Sequence, residues 1–513
     1  MKKLLSLVLV LAMCLSLVAV SASAESEVYR FDNEVTIKVS VFDRGSTGNT
    51  PADDNAWTKW IQENFGDPRN IKIEWVVIPR SEEESKLNIL MADAGSAPTL
   101  AFTYNEALVT NFVAQGGLYE LSDYIEQYGQ TLKAFLGEDV LAAGVYNGGQ
   151  YAVAARRVVV ATQGMFIRED WLEELGLSMP TTREEFYNCL VAFKEAKPDC
   201  IPYAMNNDLR SHSPLMYSFI QDINDERTLA CVPQVKWNGY KDYVVFLNKL
   251  YHEGLISPDF ATDNDDTMYG YVTSGKAGGY TYNYDHPIRV SPGILSSLRA
   301  YEPDAKLSPL NCFESVTDST KYYHESYSPA GLQIFIPVYA TEDQAKAAVM
   351  YLDWLCDADT IYFLQNGIEG ETYDLNEEGI PVVKDVEGDW HFNSMQNIDY
   401  TLTVNGQYLA DESLLIAAQA TSYQGLADLF EEEYIVGNTD LILGTNVHFD
   451  RVLEANSMYN TSLVAFQREL LTKCTMADPD QCEALFDSLV EEYMEMGGQA
   501  VMEEKLAAWD ANH

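Results

Sequence analysis

The chain is 513 residues long, 47% hydrophobic and 22% charged, which is enough to bury a large core in two or three domains. Its 78 acidic and 33 basic residues leave a net charge of −45 at pH 7. Such a surface repels nucleic acid and anionic lipid, and we exclude both as partners.

The first residues read as an export signal. Lys2 and Lys3 precede an apolar run over 4–20, and Ala22-Ser23-Ala24 fits the small-x-small cleavage rule, which puts the cut after Ala24. Leu11-Ala12-Met13-Cys14 is the competing signal, a lipobox for acylation of Cys14, but Met13 stands where a small residue is needed. A cleaved signal peptide is therefore preferred to a lipid anchor, and the destination is the cell exterior. Beyond it come Cys189, Cys200, Cys231, Cys312, Cys356, Cys474 and Cys482. Their number is odd, their spacing irregular, and no CxxC occurs, so neither a disulfide framework nor a zinc site is implied.

Residues 35–42, "VTIKVSVF", alternate apolar and polar and read as a strand. A helix is predicted over 51–65, with Trp57, Trp60, Ile61 and Phe65 on one face, and a second strand over 71–78. Strand, helix, strand at this spacing is a βαβ unit, so the two strands are parallel. Ligands of such sheets bind beyond the carboxyl ends of the strands. Asp43 and Arg44 sit at the first such end. Tyr104 and Asn105 follow the short apolar stretch "TLAF" at a comparable place. Helices are predicted over 171–175, 183–197, 242–253 and 342–357, a strand over 332–338, and a mainly helical tail over 411–430 and 449–509. The class is α/β in two lobes.

"GYVTSGKAGGYTYNYD", residues 270–285, begins like a phosphate-cradling loop, but Ala277 replaces the hydroxyl that would hold Mg²⁺. No strand-like segment precedes it and no helix-former follows, so nucleotide binding is rejected. Residues 374–385, "DLNEEGIPVVKD", have an EF-hand rhythm. Glu378 is oversized at the fifth position and Asp385 short at the twelfth, so a hairpin with an "NEEG" turn is preferred. No HExxH or GxSxG occurs, no metal ligand set is visible, and no cofactor is called for. Among 78 acids some carboxylate pair always lies at glycosidase distance, so that count decides nothing.

The positive signal is aromatic: 32 Tyr, 20 Phe and 8 Trp. Sugars present flat C–H faces rimmed by hydroxyls, which rings, amides and carboxylates can meet. Tyr280, Tyr282 and Tyr284 alternate, so on an extended chain they point the same way. Asn283 lies between them as a hydrogen-bonding partner. The bland alternative for each is an ordinary core tyrosine.

Several stretches, in order, resemble the extracellular solute-binding proteins of ABC importers, in their carbohydrate-uptake branch. They are "SAPTLAFTY" with "GGLYELSDYI", "MFIREDWLEELGLSMPTTREEFYNCLVAFKE", "LYHEGLISPDF", "SGKAGGY", and "LDWLCD" with "NGIEGETYDLNEEGIPVV". The resemblance implies a type II periplasmic-binding-protein fold: a first α/β lobe from 25–155 plus about 330–395, and a second from 156–329 plus about 396–513 with the C-terminal helices. It also implies a ligand held between the lobes, a monomer, and membrane permease subunits as partners. The chain after the Gly-Lys turn would form a cleft strand whose tyrosines stack on sugar, and Arg156 would lie at the first crossing between lobes. The ligand-binding set expected is Asp43, Arg44, Tyr104, Asn105, Arg156, Tyr280, Tyr282, Asn283 and Tyr284. Two other readings compete: the same fold holding a peptide or other polar solute, and a secreted carbohydrate-active enzyme.

Overall fold

A computed structural model describes residues 28–45, 50–289, 293–311, 313–409, 411–423 and 425–512. The expected signal segment with Cys14, and Cys312, lie outside them. Strand β1 (Val35–Asp43) buries Ile37, Val39 and Val41. Helix α1 (Ala56–Ile61) begins later than the periodicity predicts. Asn55 caps it: its side chain accepts from Thr58 N, while the Thr58 hydroxyl accepts from Asn55 N. Strand β2 (Ile71–Pro79) pairs parallel with β1, from Val35 opposite Ile71 to Asp43 opposite Pro79. The predicted βαβ unit is thus present. Trp57 of α1 is fully buried among Phe363, Trp390 and Phe392. Truncating such a ring to Ala costs about 3–5 kcal/mol.

Helix α2 (Glu83–Met91), strand β3 (Ala101–Thr103) and helix α3 (Glu106–Ala114) follow, and then β4 (Val153–Arg157) and β5 (Gln163–Arg168). Helix α4 (Arg183–Ala196) is closed by a capping box between Thr182 and Glu185. Next come α5 (Tyr240–His252), α6 (Asp265–Thr273), β6 (Gly279–Asn283), β7 (Leu307–Leu310) and β8 (Ala330–Phe335). Helix α7 (Glu342–Trp354), strands β9 (Tyr373–Leu375), β10 (Pro381–Val383) and β11 (Val404–Asn405), and helix α8 (Ala427–Gly437) lead to three C-terminal helices. These are α9 (Glu454–Met476), α10 (Pro479–Tyr493) and α11 (Gln499–Asn512).

Two lobes form around separate cores. The first packs β1, α1, β8 and α7, with Tyr400 and Leu402 buried in it, so its share of the later chain extends to β11. The second packs α4 and α5 against α9 and α10 through Phe186, Leu247, Phe466 and Phe486. A smaller cluster joins Phe166, Tyr280, Leu298 and Phe430 beside it. The crossings lie in one mixed sheet, ordered β11-β4-β8-β3. In it β4 and β8 run antiparallel, while β11 runs parallel to β4 with Val404 opposite Arg156. The second lobe carries the antiparallel sheet β6-β5-β7.

The two doubtful motifs resolve locally. Gly270 lies inside α6, so a helix and not a strand precedes Gly275. Gly275 adopts φ +71°, and a Cβ on Gly279 would meet Phe166 O at 2.6 Å, so these glycines serve a left-handed turn and a close strand approach. Lys276 is exposed. Residues 373–383 form the expected hairpin. The Asn376 side chain accepts from Glu378 N and Ile380 N, and Lys384 Nζ holds Asp374 at 2.8 Å.

Candidate functional site

The seam between the lobes is hollow. A cavity of about 200 Å³ lies at the end of β6 and is walled by Asn283, Tyr284, Arg289, Tyr327, Gln407 and Tyr423. It shares Thr162 and Tyr327 with a second cavity of about 370 Å³, which reaches Arg210, Glu325 and Lys505. The second shares Asn456 and Asn460 with a third, of about 550 Å³, between α2, α3 and α9. On the other side Met395, Gln396, Gln407 and Ser422 connect the first to a fourth, of about 460 Å³. The four form a row along the seam, flanking the crossing segments.

Aromatic and polar groups alternate on the walls of the first cavity. Asp285 accepts from Arg289 Nε at 3.0 Å, and its other oxygen accepts from the Tyr423 hydroxyl at 2.7 Å. Burial works against the charge on Arg289, yet Asp285 more than offsets this and raises its basicity. Glu433 lies just behind, buried, with no hydrogen-bond partner on either oxygen; desolvation first, and Asp285 second, hold its carboxyl well above the usual range. The side chains of Gln407 and Gln419 are more than nine-tenths buried, and neither amide oxygen has a donor. A buried acceptor left unmatched is costly. These two therefore suit a ligand that brings hydroxyls.

The first lobe carries a wall of its own around Tyr104, whose residues line none of the four cavities. The Tyr104 ring stacks on Phe42 at 6.4 Å and lies 5.0 Å under the Arg80 guanidinium, and Asn405 Nδ2 donates to its hydroxyl at 3.4 Å. Glu83, buried at the root of this wall, accepts from Arg80, Thr103 and Tyr104 N. Arg157 lies 4.4 Å over the Tyr327 ring.

The expected ligand residues do not all gather here. Asn283 and Tyr284 line the first cavity. Asn105 lines the third, capping α3 by accepting from Leu108 N at 3.3 Å. Tyr104 and Arg44 belong to the first-lobe wall, but Arg44 is committed to Asp399 through two bonds of 2.7 and 2.8 Å. Asp43 is exposed and accepts from Gly45 N at 2.9 Å. Arg156 points back to the first lobe, 5.9 Å from the Phe135 ring.

The tyrosine stripe needs correction. Tyr280 and Tyr282 do share a face, but it turns toward the interior. Tyr280 is fully buried, its hydroxyl 2.9 Å from His286 Nδ1, and its ring packs on Phe166. Tyr282 donates to Asp265 at 2.9 Å and its ring lies against His286 and Tyr269. Tyr284 lies beyond the strand's end, where the alternation stops, and turns its ring to Tyr434 and the cavity. The core alternative describes Tyr280, while Tyr282 is part-buried at the edge of the same cluster.

Sequence reading misses Arg157, Tyr327, Gln407, Gln419 and Tyr423. One signal was available for Arg157: successive residues of a strand face opposite ways, so the neighbour of an inward Arg156 faces out. The others belong to segments after the crossings, and nothing local marks them.

This is a two-lobed solute-binding architecture with a long interlobe cleft. Residues 47–289 match the family of bacterial extracellular solute-binding proteins. The chain is 28% identical over 344 residues to Lipoprotein LipO of Bacillus subtilis, which spans 64% of this chain and 66% of that protein. It is 22% identical to the polygalacturonan/rhamnogalacturonan-binding protein YtcQ of Bacillus subtilis across 85% of each chain. The fold matches the solved structure of the S. pneumoniae ABC-transporter substrate-binding protein FusA in complex with kestose. That match has TM-score 0.64 and 16% identity, covering 93% of this chain and 99% of the other. Among the described residues no helix is long and apolar enough to cross a membrane, and no group of three His, Cys, Asp or Glu is set to hold a metal.

Proposed function

We propose that this chain is the extracellular substrate-binding component of an ABC importer, capturing a sugar or oligosaccharide between its lobes and passing it to membrane permease subunits. The observation that carries this reading is the series of neighbouring cavities along the seam, which share wall residues and are lined by tyrosines and by the unmatched amide oxygens of Gln407 and Gln419. A row of sites suits a chain of sugar units better than one small solute. The relatives' names, polygalacturonan/rhamnogalacturonan-binding in one case and a kestose complex in another, support a glycan.

The mechanism is conformational. Each lobe presents half of the contacts, ligand touches both, and its differential affinity makes the closed state the stable one. The permease then recognises the closed form. The protein catalyses nothing in this reading, acts as a monomer, and is exported with cleavage after Ala24.

The test is a panel of neutral and acidic oligosaccharides, with a peptide library beside it. A ligand of the native state raises the melting temperature in proportion to ln(1 + [L]/Kd). The expected result is a shift with at least one glycan, compaction in X-ray scattering on its addition, and unaltered glycan on chromatography. Shifts with peptides and none with glycans would give the site to another solute, and a cleaved glycan would make it an enzyme.

A further inference from the structure

Burial depresses the basicity of four cations among the described residues: Arg69, Arg157, Arg183 and Lys505. Two of them are satisfied by backbone carbonyls. Arg69 donates to Phe65 O at 3.2 Å, and Arg183 donates to the carbonyls of Ser218 and Glu314. Arg157 and Lys505 are not: among the described residues neither charged end has an ion-pair partner, and Arg157 Nε is wholly buried with no acceptor.

Both lie on the cleft. Lys505 lines the second cavity, and Arg157 covers Tyr327, which lines the first and second. The charge balance at this place opposes that of the whole chain. Around Tyr104 stand three guanidinium groups, Arg44, Arg80 and Arg157, against two carboxylates, Asp399 and Glu83, each already bonded to one of the first two arginines. Glu325 also lines the second cavity, but its Oε1 accepts from the Tyr217 hydroxyl at 3.2 Å and Asn446 Nδ2 at 3.3 Å, and burial favours the neutral form of this carboxyl group. Both side chains are part-buried, and although Glu106 and Glu504 favour the charge on Lys505 from a distance, no carboxylate among the described residues forms an ion pair with either cation. Unpaired buried charge is expensive, and the cost is recovered when a ligand brings the counter-charge.

We propose that the captured glycan is acidic, its uronate carboxylates pairing with Arg157 and Lys505; this rests on the sugar-capture reading above. The planar guanidinium fork matches a carboxylate through two parallel bonds, and the lysine serves as a point charge for another unit of the chain. Tyr327, beneath Arg157, supplies the ring surface beside it.

The experiment is calorimetric titration with tetragalacturonate, with an alginate tetramer, with the methyl ester of tetragalacturonate, with kestose, and with a sulfated galactan oligomer lacking uronate. The parent is expected to bind an acid tetramer at least about thirtyfold more tightly than the ester, with affinity falling as salt rises. Arg157→Gln and Lys505→Met should each erase most of that preference while melting no lower than the parent, since each removes an uncompensated buried charge. Should Arg157→Gln fail to fold, Lys505→Met and the acid-ester comparison still decide. Equal binding of acid and ester, or variants that keep the preference, overturns the proposal. So does binding of kestose alone, which leaves the sugar-capture reading standing. Preference for the sulfated oligomer replaces carboxylate by sulfate and also overturns it. Failure of every glycan removes both readings.

Discussion

Arg44 and Asp399, 355 residues apart, are joined by a two-pronged ion pair in which Arg44 Nε meets Oδ2 at 2.7 Å and Nη2 meets Oδ1 at 2.8 Å. Asp399 is almost wholly buried, and Asn393 Nδ2 gives it a third bond at 3.1 Å. The pair ties the carboxyl end of β1 to the segment that leads into β11. It thus fixes the first-lobe wall beside the crossing.

Arg44→Met should therefore act on stability. It strands a buried carboxylate, at a cost of about 3 kcal/mol. Affinity for the best glycan should change less than threefold, because the guanidinium is already occupied. Chemical denaturation beside calorimetric titration checks this. Unchanged stability with a large loss of affinity would return Arg44 to the ligand.

The three tyrosines should separate. Tyr280→Phe removes a buried hydroxyl bonded to His286 and costs about 1–2 kcal/mol of stability with no effect on affinity. Tyr282→Phe should leave affinity within twofold. Tyr284→Ala takes a ring from the cavity wall and should weaken binding about tenfold. Titration of the three variants reads the pattern directly, and a loss of affinity for Tyr280→Phe alone would contradict it.

These three mark where sequence reasoning stops. Alternation correctly placed Tyr280 and Tyr282 on one face, but it cannot say whether that face meets a cleft or α6. That is decided by Tyr269 and His286, which pack on it from elements whose docking no local pattern encodes. The strands β1 and β2 and the hairpin at 373–383 were legible because they depend on neighbours a few residues away, whereas the cap at Asn55 that sets the start of α1 was not read. Gln407 and Gln419 line one cavity, with Arg157 paired to Asn405 beside it, only because β4, β11 and the helix Leu415–Ala420 converge at the crossings. Their separation along the chain hides them.

Glu325 makes stability depend on pH. Desolvation, eased in part by bonds from Tyr217 and Ser213, pushes its carboxyl from 4.5 up to about 7. The folded state therefore favours the protonated form. Its contribution is fully present below about pH 4.5 and is lost as pH rises through about 7, a change of about 3 kcal/mol. Melting curves between pH 4.5 and 8 should show the parent losing ground to Glu325→Gln as pH rises. Parallel profiles for the two proteins would rule the group out as the source.

The last prediction concerns Gln407 and Gln419, whose buried amide oxygens have no donor. In the free protein each is a standing cost, so Gln419→Met and Gln407→Met should leave stability unchanged or raise it by up to about 1 kcal/mol. In the complex the same oxygens would accept from ligand hydroxyls. Removing one such bond in a water-poor site should weaken binding about five- to thirtyfold. The two effects have opposite signs, and this separates a ligand contact from a framework contact, which would lower both quantities together. Thermal denaturation without ligand and titration with the best glycan of the panel, on the same preparations, give both numbers. If the variants melt lower and bind as the parent does, the oxygens belong to the framework and the cavity's acceptors must be sought elsewhere on its wall, first at Asn283 Oδ1, which now accepts from Gln163 Nε2 at 2.8 Å.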